Sequence, residues 1–276
     1  MRDDHGWQPG PLHAGPPARA VEIPAGVRSL AGSRPVAAVW ENALGGLTFE
    51  VGDDEASRFV KWAPHDAGID LRAEAARLRW ASAHTPVPKV LDQGDDADGH
   101  WLVTSPLPGQ SAVSERWREE PEIAVVAIGE ALRALHDALP VDGCPFTWHV
   151  EDRIAEALRR DHAGEQQPSR WHPVHHALTV AEALEIVSDP PPTDAPVVCH
   201  GDACAPNTIV ADDGRWSGHV DLGALGVGDR WADLAIATWS TTWNYGSGWE
   251  EPLLEAYGID PDPQRTAYYR LLWDLT

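Results

Sequence analysis

Between residues 35 and 62 three short runs follow one another: Val36-Ala37-Ala38-Val39-Trp40, Leu47-Thr48-Phe49-Glu50-Val51 and Arg58-Phe59-Val60-Lys61-Trp62. Gly45-Gly46 and Gly52-Asp53-Asp54 part them. Runs this short, rich in β-branched and aromatic residues and broken by glycine and acid turns, predict an antiparallel meander. Over residues 70–83 the period changes: Leu71, Ala75 and Leu78 fall at helical spacing behind a capping Asp70, so one helix follows the strands. Pro86 and Pro88 stop it. Residues 87–91 read as a further strand, 92–99 as an acidic, turn-rich loop and 101–104 as a buried strand. After Gly109 the pattern turns helical. Residues 121–139 carry Ile123, Val126, Ala127, Leu132 and Leu135 on one side, 150–161 are amphipathic, and 231–243 and 264–274 also read as helices. The expectation is an α+β chain: a small antiparallel β-rich lobe with one helix over residues 21–108, and a larger, mainly α lobe over 109–276. Residues 1–20, rich in Pro and Gly and without apolar period, predict a flexible arm.

The charge balance narrows the function classes. Lys+Arg 21 against Asp+Glu 43 leaves a net charge of −22, a field that repels phosphate backbones and anionic lipid heads. Neither nucleic acid nor a membrane is an expected partner. No apolar run is long enough to span a bilayer, and the first residues lack the apolar stretch of an export signal. Cys144, Cys199 and Cys204 match no zinc spacing and cannot all pair, which fits reduced thiols in a cytoplasm.

Chemistry concentrates in one stretch. Val197-Val198-Cys199 is a buried strand running into His200-Gly201-Asp202-Ala203-Cys204-Ala205-Pro206-Asn207, and Val220-Asp221-Leu222-Gly223 follows a hairpin centred on Asp212-Asp213-Gly214. The pattern H-x-D-x-x-x-x-N followed by D-x-G is that of a kinase catalytic loop and its metal-binding Asp. Phosphoryl transfer asks for these residue types: a carboxylate to orient the attacking hydroxyl and accept its proton, and an amide oxygen with a second carboxylate to hold Mg²⁺ against the nucleotide phosphates. Asp202 is then the base, and Asn207 and Asp221 are the metal ligands. The β-rich lobe supplies complements. Lys61 ends the third strand and Glu74 lies in the helix after it, as needed for a lysine that holds phosphates while a glutamate aims it. Gly45 and Gly46 can let backbone close over phosphates. Ser105 and Leu107, either side of Pro106, can offer one carbonyl and one N–H to a purine.

On these residues the chain resembles the aminoglycoside phosphotransferase family, and its 3′-type members in particular. The likeness runs through residues 200–210, 218–223 and 225–235, Glu74-Ala75-Ala76-Arg77-Leu78, Cys144-Pro145-Phe146, Tyr257-Gly258-Ile259 and Tyr269-Arg270-Leu271-Leu272. It implies a two-lobed protein-kinase-like fold and Mg-dependent transfer of the γ-phosphate of ATP or GTP to a sugar hydroxyl of an antibiotic, conferring resistance. It also implies that Asp229, Arg230 and Asp233 support the catalytic loop.

The likeness breaks where family members carry acids to meet ammonium groups. Here Ser169-Arg170-Trp171-His172-Pro173, Thr238-Trp239-Ser240-Thr241-Thr242-Trp243 and Leu272-Trp273-Asp274-Leu275-Thr276 stand instead, and Ala224 sits where the family commonly has Arg. Fourteen tryptophans against three phenylalanines sharpen the contrast. Trp171, Trp239, Trp243 and Trp273, with Arg170 and Asp274, are expected to line an acceptor site suited to a nucleoside-type or weakly charged glycosylated antibiotic, capuramycin-like for example. A polycationic aminoglycoside acceptor and a catalytically silent binding module remain open alternatives. Histidines 172, 175 and 176 read as solvent residues of an insert.

Overall fold

The computed structural model describes residues 14–53 and 57–276. The chain divides into two compact units, one within Pro9–Leu107 and the other over Pro108–Thr276.

The first unit opens with a short helix, α1 (Ala25–Ala31), which ends at Gly32 with φ +61°. The strands β1 (Val36–Glu41), β2 (Leu47–Val51) and β3 (Arg58–Pro64) then form the expected meander. The β1–β2 hairpin is organised by Asn42, whose side-chain oxygen accepts the N–H groups of Leu44 (2.9 Å) and Gly46 (2.8 Å). Asp70 caps α2 (Leu71–Ala81) by accepting from the Ala73 amide at 2.8 Å. β4 (Val90–Asp95) and β5 (Gly99–Thr104) complete a five-stranded antiparallel sheet in the order β1-β2-β3-β5-β4. Val27, Ala31, Phe49, Val51, Val60 and Val103 form the apolar core between α1 and the sheet.

Two expectations are corrected here. Among its described residues the unit holds two helices, α1 and α2, and not one. The segment read as an acidic loop is largely strand, because β4 is an edge strand and its exposed Asp92, Gln93 and Asp95 are the polar residues that keep an edge from pairing further. Of the expected N-terminal arm, residues 1–13 lie outside the described residues; Gly15 pairs with Glu41 in an antiparallel bridge beside β1.

The second unit begins with β6 (Gln110–Ser111), α3 (Glu115–Glu119), α4 (Pro121–Ala138), α5 (Val150–His162) and α6 (Val180–Val187). β7 (Pro196–Cys199), β8 (Thr208–Val210), β9 (Trp216–His219) and β10 (Gly226–Asp229) form two small sheets, β10-β7 and β6-β8-β9. α7 (Trp231–Tyr245), α8 (Glu250–Tyr257) and α9 (Pro263–Leu275) close the chain. α4 buries Ala124, Val125, Ala127, Ile128, Ala131, Leu132 and Leu135, while Ile123 and Val126 are exposed, so the stripe is rotated from the one expected. Residues 231–241 of α7 are all buried. A helix buried on every side belongs in the middle of its unit, and its two buried threonines bond locally: Thr238 Oγ1 donates to the Leu234 carbonyl (2.7 Å) and Thr241 Oγ1 to the Thr238 carbonyl (2.6 Å).

Candidate active site

The buried strand β7 delivers His200 to a loop whose backbone is held from below. Asp233, in the first turn of α7 and wholly buried, accepts the His200 amide on Oδ2 (2.6 Å) and the Gly201 amide on Oδ1 (2.9 Å). Gly201 has φ +83°, and a Cβ there would lie 2.3 Å from the Ala224 carbonyl, so the loop and the segment after Asp221 pack back to back on a residue without a side chain. The departure at Ala224 therefore lies at this junction. The His200 ring sits between a carbonyl and an amide: Nε2 is 2.9 Å from the Val220 oxygen and Nδ1 is 3.2 Å from the Asp202 nitrogen. A carbonyl only accepts and an amide N–H only donates, so the ring is neutral with its proton on Nε2.

Asp202 follows with Oδ1 buried and without a hydrogen-bond partner among the described residues. A buried, unpartnered carboxylate oxygen is costly and is kept where a ligand group supplies the donor. Asn207 is fixed at both ends. Its backbone N–H donates to the Cys204 carbonyl (2.9 Å), its carbonyl accepts from Val220 (3.0 Å), and Nδ2 donates to the Asp202 carbonyl (2.9 Å). The side-chain oxygen is left outside these bonds. Asp221 has φ 62° and ψ 49°, the only non-glycine residue with positive φ among the described ones. A side chain held in the left-handed region costs on the order of 1 kcal/mol or more and marks a position where orientation matters. The donor set of Asn207 and Asp221, hard oxygens on a held backbone, fits Mg²⁺.

Further support comes from the start of α7. Asp229 accepts the amides of Trp231 (2.8 Å) and Asp194 (2.6 Å), and Asp194 accepts from Arg230 Nε (2.6 Å) and Trp231 Nε1 (3.1 Å). Burial raises the Asp229 carboxyl. Burial pushes Asp233 the same way, but the hydrogen bonds from His136 and the Gly201 amide outweigh it and hold that carboxyl below the usual range. Ser240 Oγ accepts the Ala205 amide (2.9 Å), tying the turn before Asn207 to α7.

In the β-rich unit Lys61 Nζ donates to Glu74 Oε1 at 2.5 Å, with side chains 18% and 8% exposed. Gly45, at φ +83°, and Gly46 form the hairpin turn already described. Ser105 is paired with Lys89, its N–H donating to the Lys89 carbonyl (2.9 Å) and its hydroxyl accepting the Lys89 amide (3.0 Å); Leu107 is half-buried.

The residues expected to line the acceptor site are divided by the structure. Trp171 and Trp239 are 2% and 3% exposed, so they are part of the unit's core and present no face to a ligand. This corrects the expectation, and its cause is packing: the Trp239 ring lies 4.5 Å from His172, 5.8 Å from His175 and 5.3 Å from Trp243, with the Arg270 guanidinium 5.2 Å from its centre. Trp243 and Trp273 are half-buried and Arg170 is exposed. Asp274 Oδ2 accepts the His172 amide (2.9 Å) and faces His175 Nδ1 (2.6 Å). His172 and His175 are thus part of this cluster and not solvent residues. No group of three or more His, Cys, Asp or Glu residues able to hold a metal occurs among the described residues. The three cysteines are free. His136 carries no site signal in the sequence beyond a polar side chain among apolar helical neighbours, and Tyr257 and Ser240 stand there only within the stretches that carry the family likeness or depart from it, with no role of their own.

A β-rich unit with a Lys–Glu pair and a helical unit with a held H-x-D-x-x-x-x-N loop define a kinase-like phosphotransferase. A family model described as the phosphotransferase enzyme family matches residues 37–269, and the chain belongs to that family, the aminoglycoside phosphotransferases. It is similar to an aminoglycoside 3′-phosphotransferase of Streptomyces fradiae, 38% identical over 221 residues that cover 76% of this chain and 81% of that one. A streptomycin 3″-kinase of Streptomyces griseus is 34% identical, covering 87% and 91%. Among solved structures, a type VIII aminoglycoside 3′-phosphotransferase aligns with TM-score 0.79 at 28% identity, covering 91% of this chain and 97% of that one. An aminoglycoside phosphotransferase of Streptomyces rimosus, solved with ADP and streptomycin, aligns with TM-score 0.70 at 28% identity, covering 90% and 95%. Among the described residues no helix is long and apolar enough to cross a membrane.

Proposed function

We propose that this chain transfers the γ-phosphoryl group of ATP or GTP to a sugar hydroxyl of an antibiotic, with Asp202 as the base. The observation that carries the reading is the half-buried Asp202 carboxylate on a loop held by Asp233 and Asn207, with one oxygen that has no donor among the described residues. The hydroxyl donates to this carboxylate and is oriented by it. As the acceptor oxygen forms its bond to phosphorus, the bond to the β-phosphate oxygen breaks, the proton passes to Asp202, and the nucleoside diphosphate leaves. Asn207 and Asp221 would hold Mg²⁺, which when bound neutralises phosphate charge. Lys61, aimed by Glu74, grips phosphate oxygens, Gly45 and Gly46 let the hairpin backbone come close to them without a side chain between, and Ser105 and Leu107 meet the purine.

For the acceptor, the names of the relatives support an aminoglycoside hydroxyl, and the burial of Trp171 and Trp239 removes two of the aromatic faces that spoke for another class. A second reading, a nucleoside-type or weakly charged glycosylated antibiotic, is favoured by one observation: Oδ2 of the Asp274 carboxylate is already engaged by His175 and the His172 amide, which leaves fewer lone pairs open to an ammonium group. Coupled ADP release with ATP or GTP and Mg²⁺, run on kanamycin- and streptomycin-like compounds and on uncharged glycosylated nucleosides, tests both. Turnover of the first set supports the aminoglycoside reading, and turnover confined to the second set supports the other. Nucleotide binding without turnover on either set would contradict the proposed transfer.

A further inference from the structure

Behind the candidate catalytic loop lies a buried polar chain that the proposed chemistry leaves unused. Tyr257 is the last residue of α8, and its hydroxyl is 2.8 Å from His136 Nδ1. His136, in the last turn of α4, has Nε2 3.0 Å from Asp233 Oδ2. Exposure is 3% for Tyr257, 6% for His136 and none for Asp233. The same Asp233 carboxylate accepts the amides of His200 and Gly201, so a continuous path of hydrogen bonds joins Tyr257 to the two residues directly before Asp202. The helices that carry it are fixed close together at Gly129, where a Cβ would lie 2.5 Å from the Leu253 carbonyl and 3.0 Å from the Tyr257 nitrogen.

The direction of each bond follows from the groups. Burial pushes the Tyr257 hydroxyl up to about 12, so it keeps its proton at neutral pH. A protonated hydroxyl that donates to Nδ1 leaves the imidazole proton on Nε2, where it meets the carboxylate. The carboxylate calls for the same tautomer from the other side, so the hydroxyl and the carboxylate hold the ring between them. Without the hydroxyl Nδ1 is left buried without its donor and the ring loses the bond that fixes its plane, so Nε2–H is aimed less well at Asp233 and the amides it holds are less firmly placed.

Resting on the assignment of Asp202 as the base, we propose that Tyr257 and His136 are positioning residues for phosphoryl transfer, acting through Asp233 on the His200-Gly201 backbone and so on the placement of the Asp202 carboxylate. Neither touches substrate. Their effect falls on kcat, because the nucleotide-binding groups assigned above belong to other elements, and a base displaced by a fraction of an ångström loses rate before it loses affinity.

The test uses the full chain with Tyr257→Phe, His136→Leu and His136→Gln, read by ADP release, by amide hydrogen exchange at His200 and Gly201, and by melting temperature. Tyr257→Phe removes one hydroxyl and keeps the ring, so it reads the hydrogen bond to His136 without opening the core. Its expected effect is a kcat about tenfold lower with KM for ATP unchanged, and about tenfold faster exchange at the two loop amides. His136→Leu, which removes the donor to Asp233, is expected to lower kcat by about a hundredfold. His136→Gln, whose amide N–H can stand in for Nε2–H, is expected to stay within about threefold of the parent. Parent values of kcat and loop exchange in Tyr257→Phe would overturn the proposal. So would losses that follow only the folded fraction, or His136→Gln as impaired as His136→Leu. Should the parent protein turn over no acceptor, the exchange arm still decides: faster exchange confined to the loop amides upholds the hydrogen-bond path while the base assignment fails.

Discussion

The polar residues of this protein are distinguished by what each is denied. Among the described residues Asp202 keeps a carboxylate oxygen without a partner, Asp221 is held in a backbone region that side chains avoid, and His219 has Nε2 buried with no hydrogen-bond partner. Burial pulls the His219 imidazole down to about 3. The sign is fixed by proton counting. Between about pH 6.5 and 3 the unfolded chain binds a proton at His219 that the folded chain does not, so stability falls as pH falls through that window and is flat above it. The steepest part of this loss is about 1.4 kcal/mol per pH unit from the one group. His219→Leu should therefore lower stability at pH 7 yet show a flatter dependence between pH 6.5 and 4 in urea unfolding. An unchanged slope would mean that His219 titrates normally in the folded protein. The spacing His200, Asp202, Asn207 and Asp221 was legible in the sequence because these residues lie within about twenty positions of one another. The partners of His136 were not, since Asp233 lies 97 positions away and Tyr257 121, separations that no local pattern records.

At the level of elements, the strands and long helices announced themselves by period and by turn residues, and α2 began at the expected cap. α1 escaped notice because seven residues behind Pro24, with no side-chain cap, carry too little periodic signal. The rotated face of α4 has a similar origin. Periodicity ranks apolar residues equally, whereas packing against α8 selects the side that contains Gly129, and Ile123 and Val126 fall outside it. That close approach gives an element-scale prediction. In Gly129→Ala the added methyl would meet the Leu253 carbonyl at 2.5 Å and the Ala256 Cβ at 2.7 Å, so α8 must shift. The gain in helix propensity is outweighed, with a net loss of about 1–3 kcal/mol in chemical denaturation. A more stable variant would show that the two helices are not in rigid contact.

Over the whole molecule the acid surplus is spread thinly. The chain carries 43 carboxylate side chains, and several of the ion pairs among the described residues, Arg72–Asp95 and Arg159 with Glu156 and Glu165 among them, are on the surface. Exposed pairs contribute about 0–1 kcal/mol each, so self-repulsion of a −22 chain dominates its response to salt. The melting temperature should rise by a few degrees between about 0.02 and 0.3 M NaCl, over which the Debye length shortens from roughly 20 Å to under 10 Å. A falling melting temperature would show that attractive pairs outweigh the repulsion. Composition also called for tryptophans, and here its message was ambiguous: the same surplus that suggested an aromatic ligand site is partly consumed in the core, where Trp117, Trp171, Trp231 and Trp239 are all less than 4% exposed. Whether a tryptophan lies inside or faces a ligand depends on neighbours such as His172 and Arg270, which only the folded chain brings beside it.

The central claim is that Asp202 is the base of a phosphoryl transfer, and it is tested most directly by Asp202→Asn, with kcat from ADP release and nucleotide affinity from calorimetry measured on the same preparation. The account predicts that kcat falls by at least about a thousandfold while ATP affinity stays within about threefold, because the substitution keeps the shape of the side chain and removes its ability to take a proton. Full turnover in Asp202→Asn would contradict it.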